Sequence, residues 1–422
     1  MTLPSLTAHE IGHSLRLLPA LGFVLTGLAG RALIDKLLAL RGGAELVAHW
    51  AQLCSLADIV AGVTLAGIGI GLTGRVAGVA PSRQRRLLGE ALRLGLMLSG
   101  ICLALMAILV AAKLLPALPA AQAPLLLPSL LVGWLGIAPG LLMAWLLGCG
   151  QALLAVAIAA ATLAVPLLAL WFALPGSELA ALLGAQGVVG AVVMLFLLPG
   201  AAGGRDVLSP AHPLRSFIVA GVAIGILSPA ATALARVEIA ASASWEIAGA
   251  VQALWRSSEW ITAIAAGLLN AHYLPRLAIA RDDADFGAEL RAAAARVVAP
   301  ALAALALLWL LLPQALVLLY RADLPVTRMD ALPFFAGDAL RMVSWIFLCG
   351  LFARGAGWAV SAGELLSLPL FAALLLLLPG PLALRAIGLA WMLAYAVYAG
   401  FNCWAMRRSM RGSANSLSSG RA

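Results

Sequence analysis

Long apolar stretches, separated by short clusters of Gly, Pro and charged residues, run from near the start of the chain to near its end. A helix needs about 20 mostly apolar residues to cross a bilayer. Cutting the chain at those clusters gives twelve segments that qualify: 14–40, 51–74, 93–115, 124–148, 151–173, 177–199, 216–236, 246–271, 297–320, 334–358, 362–380 and 386–406. The expected fold class is therefore all-α integral membrane, with twelve transmembrane helices. Residues 1–13 are polar and no small-residue cleavage site follows a short apolar core, so no signal peptide is expected.

The pattern repeats at an offset near half the chain. The second segment ends Gly71-Leu72-Thr73-Gly74-Arg75 and the chain restarts at Gly89-Glu90-Ala91-Leu92-Arg93; the eighth ends His272-Tyr273-Leu274-Pro275-Arg276 and restarts at Gly287-Ala288-Glu289-Leu290-Arg291. Two six-helix halves inserted the same way up account for this: an N-terminal half over 1–205 and a C-terminal half over 206–408, followed by a Ser/Gly-rich tail, 409–422, expected to be disordered. Secondary transporters are built this way, with the substrate path between the repeats.

Composition agrees with a lipid solvent. Of the 422 residues 63% are apolar and 11% charged, against about 45–50% and 25% in globular proteins, and mean hydropathy is +1.04. The net charge of +9 is almost all arginine, with Lys36 and Lys113 the two lysines. Arginine accumulates on one side of the predicted spans, at Arg16, Arg75 to Arg93, Arg205 and Arg215, Arg276 to Arg296, and Arg407 to Arg421. By the positive-inside rule that side, with both termini, is cytoplasmic. Because the basic residues lie between apolar runs and not on a polar face with stacking aromatics, no nucleic-acid partner is expected. The five cysteines lie in apolar stretches without CxxC spacing and read as small core residues.

Two motifs match soluble-enzyme signatures in the wrong setting. His9-Glu10-Ile11-Gly12-His13 fits HExxH, which places two imidazoles and a general base on one helical face. A catalytic zinc also needs a third ligand and a folded cavity, and only eight residues precede the motif, so an interfacial helix start is expected and no metal site is assigned. Gly69-Ile70-Gly71-Leu72-Thr73-Gly74 fits GxGxxG, but a dinucleotide loop requires a strand before it. At the end of an apolar helix, with Gly67 and Gly71 also forming GxxxG, close helix packing is expected instead.

Ionisable residues inside predicted spans are costly in lipid and mark polar pathways. They are Arg31, Asp35 and Lys36 in the first span, Asp58 in the second, Arg256 and Glu259 in the eighth, and Asp338, Arg341 and Arg354 in the tenth. Arg31/Asp35 are spaced i,i+4, and Arg256/Glu259 and Asp338/Arg341 i,i+3, so each pair could neutralise itself on one helix face. Lys36, Asp58 and Arg354 must pair across helices, line water or bind something. Arginine at several depths suits an anionic headgroup such as phosphate or pyrophosphate, which guanidinium binds bidentately. No nucleophile constellation is present, so no enzyme activity is expected.

From the first span to the last the sequence resembles the Wzx-type polysaccharide flippases of the multidrug/oligosaccharidyl-lipid/polysaccharide exporter superfamily, most of all the lipid III flippase branch. The most specific stretch is Gly337-Asp338-Ala339-Leu340-Arg341 followed by Gly350, Arg354 and Glu364; Lys36-Leu37-Leu38-Ala39, Gln52-Leu53, Gly71-Leu72-Thr73, Gln252 and Leu274-Pro275 also match, and Glu259 stands where the family has Asp. The Gly-Pro usual after the first span is replaced by Arg41-Gly42-Gly43, and Arg31 lies about one turn from the family's intramembrane Lys, whose position is Gly27 here.

The resemblance implies a multi-pass protein of the bacterial inner membrane. It would move an undecaprenyl-pyrophosphate-linked oligosaccharide, of the kind used for O-antigen or enterobacterial common antigen, from the cytoplasmic to the periplasmic leaflet. Substrate would be held by Arg31, Lys36, Arg256, Arg341, Arg354 and Gln252. Asp35, Asp58, Glu259 and Asp338 would compensate charge or carry a coupling H+ or Na+, without any cofactor. Membrane lipids and the polysaccharide polymerase or ligase machinery are the implied partners. Alternatives are a lipid II flippase, which usually carries extra helices, and a drug/cation antiporter, which would present an acidic, aromatic cavity. A polysaccharide polymerase or ligase would show a large periplasmic loop, and an intramembrane zinc peptidase is the remaining alternative.

Overall fold

The computed structural model describes residues 8–77, 79–112, 119, 122–201, 216–280, 282–321, 324–378 and 381–419, and their side chains except at 8–21, 200–201, 216–224, 271, 275, 357 and 411–419. His9, Glu10 and His13 thus lie, by their side chains, outside the described residues, as do Arg205 and Arg215. The regular elements among the described residues are all helices: α1 (Ala8–Thr64), α2 (Ile70–Val76), α3 (Pro81–Ala111), α4 (Leu126–Leu135), α5 (Ile137–Gly148), α6 (Ala152–Phe172), α7 (Glu178–Ala201), α8 (Ser216–Ser242) and α9 (Trp245–Leu268). There follow α10 (Leu274–Ala278), α11 (Asp283–Ala293), α12 (Ala299–Leu310), α13 (Leu312–Leu319), α14 (Arg328–Ala353), α15 (Gly357–Leu365), α16 (Leu368–Leu377) and α17 (Leu384–Ser419).

Among the described residues nine helices are long and apolar enough to cross a membrane. Four of them bury only 22% of their most apolar window, whereas Gly22–Val76 buries 61% and Arg328–Ala353 56%. The first group therefore offers its sides to lipid, where every backbone group must be satisfied within the helix. The other two are interior elements.

Four helix boundaries differ from the sequence expectation. The first two spans are one helical run, because the expected loop at 41–50 is only a kink: Gly42 (φ −137°, ψ 16°) and Gly43 (φ 69°, ψ −164°) leave helical geometry and helix resumes at Ala44. Gly43 occupies a region that only glycine adopts without strain. α3 starts at Pro81, twelve residues before the apolar run at 93, since Pro suits the first turn and the arginine-bearing turns 83–86 can stand in water. α8 passes the expected end at Arg236 and continues to Ser242, and α17 continues into the tail as far as Ser419. Hydropathy ends a segment at its first charge; alanine-rich ALARVEIAAS keeps its helix propensity past that point.

Single π turns at Leu65–Gly69 and Leu269–Tyr273 join α1 to α2 and α9 to α10, near corresponding points of the sequence repeat. A π turn inserts an extra residue into a helix and is often found at functional positions.

Two compact units emerge: unit 1 comprises 1–37, 56–115 and 121–226, and unit 2 comprises 38–55, 116–120 and 227–422. In unit 1 the core joins Ile68 and Leu72 to Leu88, Leu92, Ile137, Leu141 and Met194. Hydroxyls and indoles stitch it: Thr64 lies 2.7 Å from Ser99 Oγ, Thr73 donates to Ala144 O at 3.0 Å, and Trp145 Nε1 donates to Gln84 O at 3.2 Å. A Cβ on Gly148 would strike the Thr73 backbone, so the close approach beside the GxGxxG stretch is set by the facing helix. In unit 2, α14 packs along α17, and Cys349, Leu351, Ala405 and Met406 form a core with Phe286 and Leu277.

Candidate functional site

The polar interior of unit 2 is built on α9, α14, α15 and α17. α9 and α14 begin at side-chain caps, Ser244 Oγ accepting from Ile247 N at 3.1 Å and Thr327 Oγ1 from Asp330 N at 3.2 Å. These caps satisfy free N–H groups of each first turn, and further along the two helices Thr262 of α9 meets Arg341 of α14.

Arg341 is the centre of the group. Nη2 lies 3.0 Å from Asp338 Oδ1 on its own helix and donates to Thr262 Oγ1 on α9 at 3.1 Å. Its guanidinium carbon sits 5.4 Å from the Trp345 ring centre, 5.7 Å from Trp391 and 5.5 Å from Tyr395. Such contacts contribute about 0.5–2 kcal/mol each, most where desolvated. Asp338 is buried, whereas Arg341 keeps 19% of its side chain open, and its Nε has no hydrogen-bond acceptor. Gly337, one residue before Asp338, is where the Trp391 ring lies: a Cβ there would meet it and come within 3.2 Å of Met392 Cα.

The aromatic wall continues as Trp255, Phe371, Trp391, Tyr395 and Tyr398, with ring centres 4.7–5.9 Å apart. Below it Asn402 Nδ2 donates to Ser344 Oγ at 2.8 Å. Trp391, Tyr395, Tyr398 and Asn402 fall at i, i+4, i+7 and i+11, one stripe of α17. The spacing is present in the sequence, but by itself an aromatic stripe at helical spacing is indistinguishable from plain core.

Arg256 forms an ion pair with Glu259 one turn on. Arg354 lies elsewhere: it follows the last turn of α14, pairs with Asp283 at the start of α11, donates to Ser409 O at 3.3 Å and stacks 4.4 Å from the Phe286 ring centre. Both i,i+3 pairs expected in unit 2 thus form, and Arg354 finds its partner on another helix.

The sequence ends the seventh predicted span at Arg236 and so leaves it at a helix end. It is instead 3% exposed within α8. Nη1 donates to Gln52 Oε1 at 2.9 Å and to Ser55 Oγ at 3.1 Å, and Nη2 to Gln252 Oε1 at 2.9 Å. Gln252, expected to touch substrate, is one of its acceptors. Burying a guanidinium is tolerable only with such a set of acceptors, and no local spacing betrays one whose first member is 184 residues away.

At the α1 kink, Glu45, Glu246 and Arg321 line a pocket of about 180 Å³, also within unit 2. His49 lies one turn beyond Glu45, 1% exposed, with its ring centre 4.6 Å from that of Trp245.

The remaining expected residues are in unit 1, on α1. Arg31 is exposed, Asp35 buried, Lys36 half-buried and Asp58 exposed, and each has a partner within the protein. Arg31 stands in the wall of an open groove of about 400 Å³ whose other described walls are apolar but for Thr162. Thr162 returns its hydroxyl to Ala159 O at 2.9 Å.

Neither a family profile nor a curated protein sequence matches the chain. Solved structures do match its fold. An inward-facing multidrug resistance MATE family transporter of the MOP superfamily superposes with a TM-score of 0.68 at 15% identity, over 92% of this chain and 94% of that one. An outward-facing MATE transporter gives 0.61 at 16% identity over 94% and 95%. A MOP superfamily transporter from Pyrococcus furiosus, described as having a binding pocket of reversed polarity, gives 0.59 at 15% identity over 97% and 96%. The fold is that of the MATE transporters of the MOP superfamily.

Proposed function

We propose that the chain is a flippase of the bacterial inner membrane, carrying an undecaprenyl-pyrophosphate-linked oligosaccharide from the cytoplasmic to the periplasmic leaflet by alternating access. The observation that carries this is Arg341: a partly open guanidinium with an unused Nε donor, set among Trp345, Trp391, Tyr395 and Thr262. Guanidinium grips phosphate oxygens in a fork, and aromatic faces with hydroxyls suit sugars. Arg256 extends the same chemistry, while Asp338 and Glu259 neutralise the empty site and are the groups for a coupling H+ or Na+. Alternating access is supported by the fold's occurrence in both inward- and outward-facing forms. The reversed-polarity pocket described for the Pyrococcus furiosus protein supports a fold not tied to one ligand charge.

Twelve spans with cytoplasmic termini belong to the proposal. Splitting the first long helix at Gly42–Gly43 and adding α8 and α9, the latter carrying Glu246, Arg256 and Glu259, brings the nine apolar helices to twelve. An even number returns both ends to one side.

A drug/cation antiporter is the second reading, favoured by Glu259, 33% exposed near the same aromatic wall. Reconstitution separates the two. Proteoliposomes containing the chain should move a fluorescent undecaprenyl-pyrophosphate oligosaccharide between leaflets, and Arg341→Ala and Arg256→Ala should slow it at least about tenfold. No transfer above protein-free liposomes, with uptake of cationic dyes instead, would establish the antiporter.

A further inference from the structure

The sequence repeat is not symmetric in charge. The turn from Arg75 to Arg93 carries five arginines and one glutamate, whereas its counterpart from Arg276 to Arg291 carries three arginines and four acidic residues. Orientation by the positive-inside rule acts on both turns alike, so it does not account for the difference. Nor do the arginines serve the helix they begin. The first turn of α3 has no acidic residue and no side-chain cap, and cations there oppose the helix dipole. Arg75, Arg83 and Arg85 are exposed, while Arg86 lies over the buried Glu90, Nε to Oε1 at 2.9 Å.

Three of these arginines share a face of α3 with an exposed apolar stripe. Arg83, Arg86 and Arg93 are followed by Met97, Ile101, Leu105 and Ile108 at steps of three, four or seven residues, which keeps all of them within about a third of the helix circumference. The four apolar side chains are exposed, on a helix long and apolar enough to cross a membrane. At 1.5 Å per residue the 31 residues of α3 span about 46 Å, against about 30 Å of hydrocarbon. With its apolar C-terminal part in the hydrocarbon, α3 carries Arg93 at the edge of that layer and Arg86 two turns, about 10 Å, further out. An apolar face that leads into guanidinium groups has the polarity of an anionic phospholipid standing in its leaflet. A soluble acidic partner would meet the arginines but not the stripe.

We propose that this face of α3 seats an anionic phospholipid of the leaflet on the arginine side. Its phosphate lies between Arg86 and Arg93, its headgroup turns toward Arg83, and an acyl chain runs along Met97, Ile101 and Leu105. Arg86 already holds Glu90, but a guanidinium has five donors and can serve a carboxylate and a phosphate together. The lipid is a resident of the bilayer and not cargo, so the seat is independent of what the chain transports. It anchors the start of α3 to the leaflet, whereas the counterpart turn, with its four acidic residues, lacks the charge for such a hold.

The test uses the full chain purified in a neutral detergent, native mass spectrometry to count bound lipid, and phosphatidylglycerol and phosphatidylcholine as probes. The parent should retain a single phosphatidylglycerol at least about tenfold more tightly than phosphatidylcholine, a difference on the order of one charge-assisted hydrogen bond. Arg83→Gln, an exposed substitution that leaves the fold intact, should weaken phosphatidylglycerol severalfold. Arg86→Gln combined with Glu90→Gln removes the pair together, leaves the net charge unaltered and should do the same. Arg85→Gln is the control: it takes one charge from the same turn but lies off the stripe, and should bind as the parent does. A phosphatidylglycerol with a photoreactive acyl chain should label the segment 97–108. Equal losses in Arg85→Gln and Arg83→Gln would overturn the inference, reducing the effect to general attraction. So would parent-level binding in both Arg83→Gln and the paired variant, equal retention of the two lipids, or labelling away from α3. Displacement of phosphatidylglycerol by a polyprenyl phosphate at equal concentration would overturn it too, because the seat would then belong to cargo.

Discussion

Arg236 Nη2 donates to Gln252 Oε1 at 2.9 Å, joining two consecutive helices of unit 2 through a guanidinium that is 3% exposed. The same group takes Gln52 and Ser55 as further acceptors. A buried charge so held is costly to disturb from either side: removing the arginine strands three acceptors, and shortening the acceptors strands the charge. Arg236→Ala is expected to destabilise the folded protein by about 3 kcal/mol, read as a lowered unfolding midpoint in detergent. Arg236→Lys should recover only part, because an ammonium cannot span Gln52 and Gln252 with a planar fork. A midpoint equal to that of the parent would show that the cluster contributes nothing.

Asp338 and Arg341 form an ion pair in which the carboxylate is buried and the guanidinium is partly open. Arg341→Gln alone should be strongly destabilising, by about 3–5 kcal/mol, because it leaves a buried anion. Adding Asp338→Asn should restore most of the stability. Transfer of lipid-linked oligosaccharide should remain low in the double variant, since the phosphate-binding fork is gone. Recovery of transfer together with stability would mean that the pair serves packing only.

Gly337→Ala places a methyl group against the Trp391 ring and near the Met392 backbone. Overpacking of this kind costs about 1–3 kcal/mol, and the displaced indole also leaves Arg341. The variant should therefore lose more transfer activity than its fall in unfolding midpoint explains. Gly267→Ala, where a Cβ meets nothing within 4 Å, is the matched control and should behave as the parent.

Arg354 ties together the end of α14, the start of α11 and the Ser409 carbonyl of α17. Asp283 is 45% exposed, so its own contribution is screened and should stay under about 1 kcal/mol. Asp283→Asn is expected to change little. Arg354→Ala, which also removes the stacking on Phe286, should speed hydrogen exchange in α11 severalfold without affecting α3. Equal effects of the two variants would assign the contact to charge alone.

Much of this interior was legible from spacing. Asp338/Arg341 and Arg256/Glu259 pair at the i,i+3 separation that the sequence displays, and the apolar lengths foretold all-helical architecture. Arg236 was not legible, for a physical reason. Hydropathy treats a charge as the end of a span, while its energetic setting depends on acceptors that the fold brings from far along the chain. The kink at Gly42–Gly43 was misread as a loop on similar grounds, because a run of Arg, Gly and Glu resembles a linker until the glycine's backbone angles are known. Arg354 was placed in a helix interior, yet it lies just past the last turn, where a side chain can reach two neighbouring helices.

The kink also settles where the chain can be divided. Residues 38–55, straddling Gly42 and Gly43, belong with unit 2, although the sequence on both sides of them belongs with unit 1. Gln52 and Ser55, both acceptors of Arg236, are in this stretch. The chain is therefore braided and not merely tandem. Severed near residue 205, it would yield a second fragment whose buried arginine has left two acceptors behind on the first, so neither piece inherits a finished interior.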